Sequence, residues 1–209
     1  MAHKRWTLAA AVTCLLASTF ATAHATVMVE IPLEDLVRGA DAIVHGTVVR
    51  TDGRLVMRGH SAEPHAVTTL RVIDWIHGGN GETEVTIEER GGEWQGGGMR
   101  IDGTPTYLPR EEVIVFLERS EIVGGNYRTY QMVQGKFAVL RGAPGVPHSV
   151  RRDLSAVALA RWVDGQMTLQ PGQSEPRVEL STFVNFVRGI ADRYTVPLGS
   201  GTESVGRSR

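Results

Sequence analysis

Short strand-like runs separated by glycine-rich turns occupy the chain from residue 42 to residue 140. The runs cover residues 42–50, 67–76, 84–88, 113–117, 127–133 and 136–140. Turn-forming pairs such as Asp52-Gly53, Gly78-Gly79 and Gly91-Gly92 lie between them. Because no helical pattern interrupts the series, the sequence predicts a mainly β fold, a small antiparallel barrel or a sandwich.

Two helical patterns flank these strands. Apolar residues at positions 33, 36, 37 and 40 share one face of a short N-terminal helix, and Pro32 suits its first turn. Residues 180–194 carry apolar side chains at helical spacing, which predicts a C-terminal amphipathic helix that packs against the sheet. Pro197 ends this pattern, and the Gly/Ser-rich residues 197–209 are predicted to form a disordered tail.

The first 25 residues have the pattern of a secretory signal peptide. Lys4 and Arg5 precede an apolar stretch at residues 7–20, which is shorter than the roughly 20 residues of a membrane span. Small residues follow, so cleavage is expected after Ala25, with cleavage after Ala23 as the alternative. The sequence therefore predicts a secreted or periplasmic protein.

The amino-acid composition limits how the mature chain can be organised and what it can bind. The full chain has one cysteine, Cys14, which lies inside the predicted signal peptide, so residues 26–196 are expected to form a single domain without disulfides. Lys and Arg together number 22 against 23 Asp and Glu, a net charge of −1. That balance argues against nucleic-acid binding, which is typical of chains with a basic excess.

Residues 33–154 resemble an uncharacterised family of secreted bacterial proteins. The shared pattern includes ADAIVHGTV at 40–48, WIHG at 75–78, GG at 91–92, GTP at 103–105, REEVIVFL at 110–117, QGKF at 134–137 and VRRDL at 150–154. The family pattern has lysine where this chain has His77, and glycine where it has Arg110. The resemblance covers most of the mature chain and implies no catalytic group.

The same order of elements looks like the OB-type barrel of netrin-like modules, which include the tissue inhibitors of metalloproteases. This resemblance implies an OB-like barrel between the two helices. It also implies that the α-amine and carbonyl of Thr26, supported by Val27 and Met28, would chelate the zinc of a protease. The disulfide cysteine that the inhibitors carry at this position is absent here, and the alternative is an extended lead-in strand.

Three groups of residues are candidates for chemistry or binding. His60, Glu63 and His65 form a sparse metal-ligand pattern, for which a solvated loop is the alternative. The predicted loop at residues 91–109 carries Trp94, Met99 and Tyr107, which either contact a partner or cap an open end of the barrel. Arg151 and Arg152 form either a basic contact patch or a local ion pair with Asp153.

These patterns favour a secreted, non-enzymatic binding module that contacts a protein partner through its loops. A secreted metalloprotease is one candidate partner, and no catalytic residue, cofactor or bound metal is assigned. The first alternative is a metal-assisted or hydrolytic extracytoplasmic enzyme, which requires His60, His65 and Glu63 or Asp52 to converge. The second alternative is a structural protein of the cell envelope.

Overall fold

A computed structural model describes residues 26–120 and 127–194. The strands are β1 (Val27–Val29), β2 (Ala42–Arg58), β3 (Ser61–His77), β4 (Glu84–Arg90), β5 (Gly92–Trp94), β6 (Gly97–Met99), β7 (Glu112–Arg119), β8 (Tyr127–Thr129), β9 (Lys136–Leu140), β10 (Ser149–Arg151), β11 (Ala158–Val163), β12 (Gln166–Pro171) and β13 (Val178–Glu179). The helices are α1 (Leu33–Gly39), α2 (Leu180–Tyr194) and a 3₁₀ turn at Met132–Gly135. The mainly β class with two flanking helices is confirmed, while the predicted signal peptide and tail lie outside the described residues.

Five strands close into a ring. The order around it is β7, β2, β3, β4 and β8, and β8 pairs with β7 again. All these pairs are antiparallel except β4 with β8. The interior is filled by buried apolar side chains, among them Val44, Val48, Leu70, Val85, Ile87, Val115 and Leu117.

The helices cover the outer face of the same sheet. Alternate side chains of β7 point in opposite directions, so Val115 enters the ring while Ile114 and Phe116 contact the helical layer. This two-sided burial explains why residues 113–117 are continuously apolar. The predicted amphipathic helix at 180–194 is confirmed, because Phe183, Val187 and other apolar residues of α2 pack in this layer.

Two predictions about strand boundaries are wrong. Residues 51–66, expected to include a polar loop, continue the β2–β3 ladder as far as the Arg58–Ser61 pair, so that only Gly59 and His60 form the turn. Backbone hydrogen bonds extend this ladder although most side chains of residues 53–63 are exposed or only partly buried. The runs at 127–133 and 136–140 do not form a hairpin together, because β8 and β9 each pair with β7.

A separate three-stranded sheet lies beside the ring, in the order β1, β11 and β12. Strand β1 runs parallel to β11, and β11 and β12 form an antiparallel hairpin. Met28 and Leu159 pack on one side of this sheet into a small cluster with Leu154 and Val157. No helix within residues 26–120 and 127–194 is long and apolar enough to cross a membrane.

Gln134 ties the N-terminal segment to the ring. Its side chain is fully buried, accepts a 2.9 Å hydrogen bond from the Ile31 amide and donates a 3.0 Å bond to the Val29 carbonyl. We expect Gln134→Leu to lower the free energy of unfolding by about 2 kcal/mol, because it leaves backbone groups without partners. Urea denaturation measures this change, and hydrogen exchange at Ile31 should accelerate.

The control for this prediction is Gln173→Leu, which makes the same exchange at an exposed position. It should change the free energy of unfolding by less than about 0.5 kcal/mol. Equal stability of Gln134→Leu and the unmodified protein would contradict the role given to Gln134.

Candidate functional site

An open cleft of ≈ 1090 Å³ lies at one end of the ring. Lys136, Ala138 and Arg151 form its floor on β9 and β10, on the sheet face opposite the helices. Ala138 is the register partner of Val113, a residue of the ring interior, so the cleft continues that interior beyond β7. Its walls are the segment 101–109 on one side and parts of β2, β3 and β5 on the other.

Arg151 is held in place by the strand on which it lies. The neighbouring Val150 is buried in the helical layer, so Arg151 points to the opposite face, where it lines the cleft. Its Nε atom is buried and has no hydrogen-bond partner. At the rim, Asp153 accepts a 3.1 Å bond from the Ser155 amide, and hydrogen bonds from Ser155 are the main cause that lowers the Asp153 pKa. Arg151 thus brings positive charge to the cleft with a donor still unused.

Lys136, in contrast, is fully engaged within the protein. Its Nζ atom lies 2.7 Å from a Glu111 carboxylate oxygen and donates to the Thr106 carbonyl at 2.5 Å. The same ammonium sits 4.8 Å from the centre of the Tyr107 ring, a cation–π contact. Lys136 therefore fixes the wall formed by residues 106–111 rather than offering a free charge.

Tyr107 does not belong to an exposed recognition surface. Its side chain is 5% exposed and packs in the ring interior. Tyr107 therefore closes the end of the ring, which was the alternative interpretation of this aromatic residue. Its hydroxyl lies 2.6 Å from Thr129 Oγ1, which in turn donates a 2.5 Å hydrogen bond to Glu89. The Thr129 amide donates to the same carboxylate oxygen at 2.8 Å.

Burial changes the titration of this hydrogen-bonded chain. Desolvation raises the pKa of Glu89 to about 7, although the bonds from Thr129 act in the opposite direction. Burial likewise raises the pKa of Tyr107. Glu89 shares the inward face of β4 with Val85 and Ile87, so its carboxyl lies at the end of an apolar interior. This burial is not predictable from the residues themselves, since an acidic pair at a strand end is usually solvated.

Trp94 and Met99 lie on a small hairpin beside the cleft. Strands β5 and β6 pair Gly92 with Met99, and both predicted contact residues are partly exposed. Gly53 on β2 lets this hairpin approach closely, because a Cβ atom there would overlap the Glu93 carbonyl oxygen. Met99 lines the cleft, whereas Trp94 is not among its lining residues.

Arg152 is not a surface contact, and this part of the predicted basic patch is wrong. Its side chain is 5% exposed, donates a 2.9 Å hydrogen bond to Glu175, and places its guanidinium carbon 5.3 Å from the centre of the Phe137 ring. An ion pair was expected as the alternative, but the partner is Glu175 rather than Asp153. Since Arg152 braces the sheet, only Arg151 of the pair is available to a ligand.

Strand β1 contains Val27 and Met28 and directly follows Thr26. It is the extended lead-in strand that was the alternative interpretation of these three residues. The Thr26 carbonyl accepts a 2.9 Å hydrogen bond from the Ala158 amide, so this oxygen is already used by the β1–β11 pairing. Met28 packs inward against the small cluster, while Val27 is exposed. None of the three lines the cleft.

The residues of the sparse metal pattern have other partners. His65 is buried with its Nδ1 2.8 Å from a Glu88 carboxylate oxygen, and Glu63 accepts a 2.9 Å bond from Arg90. His60 is exposed in the β2–β3 turn. Within the described part of the chain, no group of three or more His, Cys, Asp or Glu side chains is arranged to hold a metal ion.

Comparison of the chain with protein-family models, curated proteins and solved structures found no match. The cleft and the residues that line it are therefore the features of the molecule from which a function can be inferred.

Proposed function

We propose that this protein is a secreted, non-enzymatic binding module that holds a carboxylate-bearing segment of a protein partner in the cleft beside Arg151. Secretion is proposed from the basic, apolar and small-residue pattern of residues 1–25. The observation that carries the binding proposal is Arg151 on the floor of an open cleft, with a buried Nε atom that has no hydrogen-bond partner. A carboxylate is the ligand that best satisfies a guanidinium, because two parallel hydrogen bonds form at once.

The other cations of the cleft support this assignment to Arg151. Lys136 pairs with Glu111, Arg100 lies 3.3 Å from Asp102, and Arg90 binds Glu63. Within each of these pairs the two charges offset each other, whereas Arg151 forms no direct ion pair in the described part of the chain and acts on Asp153 only through its charge. An anionic group that enters the cleft would therefore be attracted mainly by Arg151, beside Asp153 at the rim.

The shape of the cleft favours a chain segment over a small molecule. Gly92 and Gly98 leave backbone partly or fully exposed along one wall, and Met99 adds apolar surface. A peptide has both the apolar side chains and the backbone groups to match such walls. This contact surface differs from the zinc-chelating N-terminus of the protease inhibitors, since the Thr26 carbonyl is bound to Ala158.

Site-specific photo-crosslinking tests the proposal. A benzophenone side chain at Ala156, an exposed lining residue, should give a covalent adduct with a protein of the extracytoplasmic fraction. Arg151→Glu should reduce the adduct by roughly tenfold or more, because it replaces an attractive charge with a repulsive one. The adduct is quantified by blotting and its partner peptide is located by mass spectrometry.

Two matched controls define the outcome. The same benzophenone at Phe186, exposed on α2, should give no such adduct, and Arg177→Glu should leave the adduct at position 156 unchanged. Adducts of equal yield from positions 156 and 186, or an adduct that persists in Arg151→Glu, would refute binding through this cleft.

A further inference from the structure

The three-stranded sheet β1–β11–β12 exposes an apolar face to solvent. Val27 and Val29 lie beside Ala158 and Ala160 of β11, so these side chains share one face. The exposed fractions reach 53% and 55% for the two valines.

The β11–β12 hairpin extends the same face. Trp162 is directly opposite Met167, and Ala160 is opposite Leu169, which places all of them on the side that carries the valines. Trp162 is 68% exposed, Leu169 62% and Met167 54%. A contiguous exposed apolar patch of this kind is typical of an interaction surface.

In strands β1, β11 and β12, no charged side chain lies on this apolar face. Arg161 alternates with Trp162 and therefore points to the other face, where it forms an ion pair with Glu30. Strand β12, with the sequence QMTLQP, has no charged residue. Because this face carries no charge, it offers no electrostatic attraction to a charged partner or to anionic lipid. Two copies of the face can approach each other without electrostatic repulsion.

The area of the face matches what a weak dimer needs. The five exposed side chains correspond to roughly 500 Å² on each protomer, so two faces bury roughly 1,000 Å², near the lower limit of specific interfaces. Two sheets that stack face to face lie about 10 Å apart with interdigitated side chains, as in a β-sandwich.

We propose that two copies of this chain associate through this face, as a symmetric dimer in which Trp162, Met167 and Leu169 of each protomer pack against those of the other. The partner is a second copy because the surface is uncharged and about as large as a weak isologous interface requires. The contact leaves the Arg151 cleft, which lies on the main sheet, outside the dimer interface.

Sedimentation velocity of the secreted protein, from roughly 1 to 300 µM, tests the proposal. We expect a reversible monomer–dimer equilibrium with a dissociation constant in the micromolar range. Met167→Lys should weaken it at least tenfold, because each dimer would bury two unpaired ammonium groups. Leu169→Lys should have the same effect.

Met57→Lys is the matched control, since Met57 is 68% exposed on the β2–β3 hairpin. It should leave the dimer unchanged, and circular dichroism of all variants should be identical. A monomer at every concentration, or equal dimerisation of Met167→Lys and Met57→Lys, would overturn the proposal. Flotation of the wild-type protein with phosphatidylcholine vesicles, without dimerisation in their absence, would overturn it in favour of a lipid surface.

Discussion

Phe183→Ala is expected to lower the free energy of unfolding by about 3–5 kcal/mol. Phe183 is 6% exposed, and its ring centre lies 4.9 Å from that of Phe137, which itself lies 5.5 Å from Phe116. These three rings join α2 to β7 and β9. Truncation removes apolar contacts and leaves a cavity between the helix and the sheet, because packed neighbours relax only partly.

Phe186 provides a control on the same helix. It is 57% exposed, so Phe186→Ala should change the free energy of unfolding by less than about 0.5 kcal/mol. Urea denaturation followed by circular dichroism measures both variants. Similar losses for Phe183→Ala and Phe186→Ala would show that α2 does not pack against the sheet as described.

Glu89→Gln is expected to stabilise the protein at high pH. Burial raises the pKa of Glu89 from 4.5 to about 7, so the folded state keeps this proton over a pH range in which the unfolded chain has lost it. Because the folded state binds more protons between these values, the free energy of unfolding falls as the pH rises through them. The shift corresponds to a penalty of about 3 kcal/mol, fully present above pH 7 and absent below about pH 4.5.

Glutamine removes this penalty and keeps the hydrogen bonds. Its side-chain oxygen can accept from the amide and hydroxyl of Thr129, as the carboxylate oxygen does. Glu89→Gln should therefore exceed the wild-type stability by up to about 3 kcal/mol at pH 8.5 and match it near pH 4.5.

The comparison requires denaturation curves at both pH values. Glu84→Gln, at an exposed position of the same strand, should alter the free energy of unfolding by less than about 0.5 kcal/mol at either pH. A Glu89→Gln variant whose stability differs from that of the wild type by the same amount at pH 4.5 and pH 8.5 would refute the raised pKa.

Some residues of the cleft can be predicted from the sequence as contact residues, whereas the burial of other charged residues cannot. Arg151 and Met99, which the sequence predicts as contact residues from charge and from their place among glycines, both line the cleft. The burial of Glu89 and Arg152 cannot be predicted, because a charged residue gives no local sign that a distant group will cover it. Glu89 is covered by Thr129, 40 positions away, and Arg152 by Glu175, 23 positions away.

The order of local elements was determined by the sequence itself. Helix α2 and the two-sided burial of β7 follow from the spacing of apolar side chains, which reflects backbone geometry over a few residues. Only the tertiary structure decided that β8 and β9 share β7, and that β1 joins β11 across more than 100 residues. Such pairings depend on which strand edges meet when the whole chain has folded. Backbone hydrogen bonds carry no side-chain pattern by which the sequence could specify these partners in advance.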